Sequence, residues 1–345
     1  MCLVSVIMPV YNSERYINEA IESILNQSFQ DFEFLIIDDA STDKSVELMK
    51  VYNDPRIILF LKPVNTGYTE SLNMALSMAK GKYVARMDSD DISLVTRLAQ
   101  QVEFMESNKM IAGCGSAIKI IPNSEVVIYP TEPEKLKIAL LDYCAIAHPS
   151  MILRKQFMID KNLSYDKSFE PSEDYDLWTR IVEDADLANI PQILLHYRQH
   201  NNQISIVKEM LQRKNADRCR IRMLGYLHTP LSEFDIECCE VVYQRKKIRS
   251  LELLYRIVDW LDYSVIKNKT RNFYHQEMFM EFIRKKKTLL IQSFFLQRIS
   301  YSPVTLSEYF FADKKIKGFL TFSNHMKLFV KSMIFRRIQL EKLME

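Results

Sequence analysis

Asp88, Asp90 and Asp91 crowd three carboxylates into four consecutive positions. Like charges about 4 Å apart repel by roughly 4 kcal/mol at an effective dielectric near 20, so a cation belongs among them. Oxygen-only ligands favour Mg²⁺ or Mn²⁺, and Mg²⁺ is typically held by one or two carboxylates together with substrate phosphates. Asp is also a good helix N-cap, and spacing alone leaves cap and cation site both open. Two further polar clusters end apolar runs: Pro9-Val10-Tyr11-Asn12, and Asp38-Asp39-Ala40-Ser41-Thr42-Asp43. Tyr11 can stack on a base, and Asp38 and Asp39 can accept hydrogen bonds from a ribose or a base edge. Singly, Tyr11 reads equally as a rim aromatic and Asp39 as a cap for the Ser41-Thr42-Asp43 turn; together the clusters outline a nucleotide-diphosphate site. The six glycines, at 67, 81, 113, 115, 225 and 318, form neither a GxxxxGK[ST] loop nor a GxGxxG turn. Phosphate must therefore be neutralised without a glycine cradle.

These clusters need strand ends to hold them. In the first half, short β-rich apolar runs alternate with amphipathic helical patterns, the pattern of a doubly wound α/β sheet flanked by helices. Strands are predicted over 4–8, 34–37, 57–61 and 83–87, and helices over 14–26, 70–79 and 94–107, with Gly81 closing the second helix. In such sheets ligands sit outside the carboxyl ends of the strands, where all three clusters fall. After about Ser205 long helical patterns take over. The balance changes with them: residues 1–205 carry 19 Lys+Arg against 29 Asp+Glu, and residues 206–345 carry 27 against 15.

The runs VSVIMPVYN (4–12), IIDDASTD (36–43), NTGYTESLN (65–73), ARMDSDD (85–91), HPS (148–150), SEDYDLW (172–178) and YRQHNNQIS (197–205) resemble family 2 inverting glycosyltransferases in order and spacing. The likeness covers about the first 205 residues and is nearest to bacterial enzymes of lipooligosaccharide, capsule or O-antigen synthesis. It implies a GT-A fold, mostly parallel in its sheet and followed by a helical C-terminal region, with a UDP-sugar donor and Mn²⁺ or Mg²⁺ as cofactor. By motif, Pro9, Tyr11 and Asn12 would line the nucleotide pocket, Asp39 would contact uracil or ribose, and Asn65 and Gly67 would close around the nucleoside. Asp88-Ser89-Asp90 matches the DxD motif, with Asp90 the direct metal ligand, Asp88 towards ribose and metal, and Asp91 in support. Glu173-Asp174 matches the pair whose second member is the catalytic base. His200 would reach the metal or the diphosphate, Arg198 would neutralise donor charge, and His148 and Trp178 would shape the acceptor site; Trp178 fits a core position equally well. Where many relatives carry an Arg near Glu70 and Asn73, this chain has Ser71 and Leu72.

The six cysteines show no CxxC pair, and no apolar stretch approaches the roughly 20 residues needed to span a bilayer. Leu3 to Val10 lacks a basic leader and reads as a buried strand. The expectation is a cytoplasmic enzyme with a catalytic domain at 1–205 and a basic helical region at 206–345. In that region Arg245-Lys246-Lys247, Arg249, Arg284 to Lys287, Lys314-Lys315-Lys317 and Arg336-Arg337 recur among apolar stretches. This pattern suits the inner face of an anionic membrane near a lipid-linked saccharide acceptor, packing on the catalytic domain, or a homo-oligomer contact. The acidic first half and the lack of recognition motifs argue against nucleic acid. The rival readings are a sugar-nucleotidyltransferase, weakened by the missing glycine loop, and a non-catalytic carbohydrate- or membrane-binding derivative.

Overall fold

β1 (Val4–Val10) and β2 (Phe32–Asp38) are buried at every position. Strands apolar on both faces belong in the middle of a parallel sheet covered by helices. In the computed structural model, β3 (Ile57–Leu61) and β4 (Tyr83–Arg86) flank this pair in the order β3-β2-β1-β4, every pairing parallel. The crossovers are α1 (Ile17–Leu25), α2 (Ser45–Lys50) and α3 (Tyr68–Met78). α1 buries Ile17, Ala20, Ile21 and Ile24, the stripe its periodicity predicts. Gly81 has another task than ending α3, which stops at Met78: a Cβ there would come within 2.6 Å of the Ser5 backbone nitrogen. The structure describes residues 2–200, 203, 207–243, 246–248, 250–296 and 303–342.

Beyond β4 the sheet becomes mixed. It continues β4-β8-β6-β9-β5, formed by β5 (Ile92–Ser93), β6 (Ile111–Ile121), β8 (Ile152–Arg154) and β9 (Asp186–Arg198), with β7 (Val126–Val127) off the side of β6. β8 is antiparallel to both neighbours, and β9 is parallel to β6 but antiparallel to β5. The parallel, doubly wound order therefore belongs to the nucleotide-side half. α4 (Arg97–Ser107) braces the junction from within the core. Buried Arg97 donates to the carbonyl of Arg86 (2.6 Å), and Gln101 donates to that of Ser150 (2.7 Å), fixing the end of β4 beside the 148–150 turn. α5 (Pro133–Ala139), α6 (Lys155–Asp160) and α7 (Glu173–Ile181) complete this half.

Two compact units emerge, 1–223 and 224–345. The first runs past residue 205 because α8 (Glu209–Gly225) bonds to the segment before α7: Ser172 donates to the Gln212 carbonyl (3.0 Å) and Asn215 to that of Glu170 (2.9 Å). The second is helical: α9 (Glu233–Val242), α10 (Leu251–Arg271), α11 (Gln276–Leu296), α12 (Pro303–Phe311), α13 (Lys314–Lys317) and α14 (Phe322–Lys342). The basic cluster Arg284 to Lys287 does not form one continuous face. Lys287 is buried and bonds both oxygens of Asp262 at 2.8 Å, while Lys286 lies over the rings of Tyr243 and Phe282. Arg245, Arg249, Asn201, Asn202, Ile204 and Ser205 lie outside the described residues, as do the side chains of Lys314, Arg336 and Arg337. Among the described residues no helix is long and apolar enough to cross a membrane.

Candidate active site

Arg86 is the last residue of β4, and the acidic turn follows directly. Its guanidinium is buried and pairs with Asp88, while its Nε and Nη1 have no partner among the described residues. Carboxylate oxygens of Asp88, Asp90 and Asp91 lie within 4.8 Å of one another. Asp91 accepts the Arg198 backbone N–H at 2.8 Å on one oxygen, and its other oxygen is buried without a partner among the described residues. Burial, then the charges of Asp88 and Asp90, push Asp91 well above the usual carboxylate range. Asp88 is pushed up to about 6 by burial in spite of Arg86. Convergent carboxylates, one oxygen of which is buried and unanswered, suit a divalent cation and fit the expected Mn²⁺ or Mg²⁺.

β9 delivers the two residues predicted beside this turn. The ring of His200 lies 2.9 Å from Asp90 Oδ2 and therefore shares its corner of the cleft. Arg198 is more committed than the sequence suggested: its Nε donates to the Asp90 carbonyl (2.8 Å), its Nη2 pairs with Glu19 (2.9 Å), and its guanidinium sits 4.5 Å from the centre of the Tyr16 ring. It fixes the acidic turn at least as much as it offers charge to a donor.

Glu173 and Asp174 open α7, where carboxylates suit the positive end of the helix. Glu173 accepts from the Tyr68 hydroxyl (2.6 Å) and faces His148 Nδ1 at 3.6 Å. Burial, then the charge of Asp174, push Glu173 up to about 8. Asp174 is also raised by burial, against the opposing pull of the Tyr175 N–H (2.7 Å) and the Cys144 thiol (3.5 Å). His148 is buried, lies 3.0 Å from the Tyr165 hydroxyl, and is held well below its ordinary value by burial and by Arg86. Arg86 is thus electrostatically coupled both to Asp88 and to the Glu173-Asp174 pair. Trp178 does not face an acceptor. It is 0% exposed and packs edge-on against His148 at 5.8 Å, so the core alternative holds for it.

On the nucleotide side, Tyr11 is half exposed at the end of β1, and Pro9 is buried within that strand beside Ile37. Asn12 adopts φ 51° and accepts the Thr42 N–H (2.8 Å), tying the first two strand ends together. Asp39 is saturated: it pairs with Lys62 and accepts the N–H groups of Thr66 (3.0 Å) and Gly67 (2.8 Å). Asn65 accepts the same Gly67 N–H at 3.2 Å, and Gly67 has φ 99°, a conformation that favours glycine. Lys62 also donates to Ser71 (3.0 Å), so a cation reaches this corner from β3's end instead of from an Arg near Asn73. The sequence reading missed Arg86, Tyr68, Tyr165 and Lys62. Arg86 and Tyr68 stand inside the recognised runs, and Arg86 precedes Asp88 by two positions, the strand spacing that returns to one face.

Comparison with known proteins accords with this geometry. Residues 5–162 match the family model described as Glycosyl transferase family 2. A glycosyltransferase of Haemophilus influenzae is 34% identical over 238 residues, which cover 65% of this chain and 74% of the relative. The Escherichia coli UDP-Glc:alpha-D-GlcNAc-diphosphoundecaprenol beta-1,3-glucosyltransferase WfaP is 33% identical over 221 residues, 63% of this chain and 86% of that one. The crystal structure of S. aureus TarS 1-349 in complex with UDP-GlcNAc has the same fold, with TM-score 0.57 at 20% identity over 85% of this chain and 91% of that one. Relatives matched over most of their length, together with a family model that spans Asp88 to Asp91, establish that the chain belongs to glycosyl transferase family 2, as a glycosyltransferase of GT-A fold.

Proposed function

We propose that the enzyme inverts configuration while moving a hexose or N-acetylhexosamine from a UDP-sugar to a hydroxyl of a saccharide acceptor, in the synthesis of a surface polysaccharide or lipooligosaccharide. The observation that carries this reading is the buried Arg86, which ion-pairs with Asp88 while its charge reaches Glu173 and Asp174. A diphosphate held at the first group and a nucleophile activated at the second would share one cavity. WfaP, by its name, takes UDP-Glc and a diphosphoundecaprenol-linked acceptor, and TarS was crystallised with UDP-GlcNAc. Both favour a UDP-sugar here, and WfaP favours a lipid-linked acceptor that would bring the enzyme to the cytoplasmic membrane face.

Asp90, Asp88 and His200 would hold Mn²⁺ or Mg²⁺, which when bound offsets charge developing on the departing diphosphate. Asp174 accepts the proton of the acceptor hydroxyl as its oxygen bonds to the anomeric carbon. In the same step the bond from that carbon to the diphosphate oxygen breaks, so configuration inverts once. Glu173, raised to about 8 and bonded to Tyr68, keeps its proton near neutral pH and does not compete as a base. Neutral His148 and the Tyr165 hydroxyl line the wall behind it.

Asp174→Asn should slow transfer by about 10³-fold while changing UDP affinity by less than about threefold. NMR of the product should show the anomeric configuration opposite to the donor's. Wild-type turnover by Asp174→Asn, or a retained configuration, would sink the assignment.

A further inference from the structure

α12 and α14 turn large apolar side chains to solvent. Phe311 is 90% exposed, Phe322 81% and Phe310 60%, and Met326, Phe329 and Val330 are each exposed by more than two fifths. Three of them are gathered in one place. Phe310, Met326 and Phe329 line one trough of about 340 Å³ together with Tyr309, His325 and Lys317. The opposite side of α14 is finished, with Leu328 and Ser332 buried. A cluster of exposed aromatics of this kind marks a surface that meets something less polar than water.

The charge around it selects the occupant. Among the described side chains of α12 to α14, Lys315, Lys317, Lys327 and Lys331 stand against Glu308 and Asp313. Lys317 stands at the trough and Lys327 is exposed on α14 between Met326 and the buried Leu328. A second copy meeting this face about a twofold axis would set cations against cations. Anionic headgroups instead complement them, and Phe side chains flanked by Lys are the composition that settles at the boundary of headgroups and acyl chains.

We propose that the α12–α14 face is the membrane-docking surface, with Phe310, Phe311 and Phe322 entering the acyl boundary of an anionic bilayer and Lys317 and Lys327 meeting its headgroups. This goes beyond the transferase reading and does not depend on it, because the test reads binding and not transfer. The full chain is floated with phosphatidylcholine vesicles, with or without phosphatidylglycerol. Wild type should rise with the anionic vesicles alone, and Phe311→Glu/Phe322→Glu should lower the bound fraction at least about tenfold. Lys317→Gln/Lys327→Gln should weaken binding severalfold, and Met110→Glu, an exposed change in the other unit, should leave it unaltered. Wild type that stays in solution with both vesicle types overturns the proposal, as does unimpaired binding by the double Glu variant. A dimer in sedimentation equilibrium that this variant dissociates, without any vesicle binding, would assign the face to a second copy and overturn it too.

Discussion

Asp39 follows β2 and Asp91 lies in the turn after β4, two strands of one sheet with β1 between them; both residues are hidden from solvent, and their carboxyls behave in opposite ways. Burial pushes both carboxyls up. At Asp39 the donations of Lys62, Thr66 and Gly67 more than offset it and hold the group below its usual range. At Asp91 the Arg198 backbone N–H and the charge of Arg86 do not offset burial and two neighbouring carboxylates, and the group is raised well above that range. The balance between burial and the donors and charges that answer it therefore decides ionisation. Asp39 is a completed joint that pins the 62–67 loop to β2. The 88–91 turn is an incomplete charge arrangement, and incompleteness at a strand end is what a cation and a diphosphate can use.

Removing Arg86 should exaggerate the contrast most. Arg86→Met leaves Asp88 facing Asp90 and Asp91 without the Arg86 ion pair, and loss of one member of a buried pair costs about 3–5 kcal/mol. Urea unfolding should show that loss, and Arg86→Lys should recover part of it. Equal midpoints for Arg86→Met and wild type would mean that Asp88 draws its support elsewhere.

The two acidic sites should also separate by their response to metal. Asp90→Asn should weaken the manganese-dependent rise in Tm at least about tenfold in apparent affinity, whereas Asp39→Asn should leave that response intact. A third change attacks the completed joint itself. Lys62→Met leaves Asp39 with backbone donors alone and should cost about 1–3 kcal/mol in urea unfolding, again without touching the manganese response. If Lys62→Met abolished that response, the two sites would not be independent.

The parallel half of the sheet was legible because each of its strands is an apolar run followed by a polar turn. The mixed half was not: β8 has three residues and β5 two, too short for a periodic signal, and the pairing of β6 with β9 joins segments some 70 residues apart. The acidic turn and the Glu173-Asp174 pair were legible as residue types. Their relation was not, because Arg86 reads in sequence as one more strand-end cation, and only the fold buries it, pairs it with Asp88 and brings its charge to bear on Glu173 and Asp174. Trp178 shows the limit from the other side. An aromatic near a catalytic motif suggests sugar stacking, but its helical position turns it into the core. The C-terminal cations misled in the same way, since sequence counts Lys287 with its neighbours while the fold buries it on Asp262.

Glu173 offers the clearest test of sign. Its carboxyl rises from an ordinary value of 4.5 to about 8. Between those values the unfolded chain has released a proton that the folded chain still holds, so this group makes stability fall as pH rises through the window. Asp39 runs the other way: its lowered value gives stability above the unfolded pKa that is lost as pH falls through the folded one. Glu173→Gln stays neutral and can still accept from Tyr68, so it should erase the first slope and leave the second. In urea unfolding its advantage over wild type should be largest near pH 8, with the gap closing towards pH 5. Parallel curves for the two proteins across that range would show that Glu173 is already ionised, and the acid-base division between it and Asp174 would have to be redrawn.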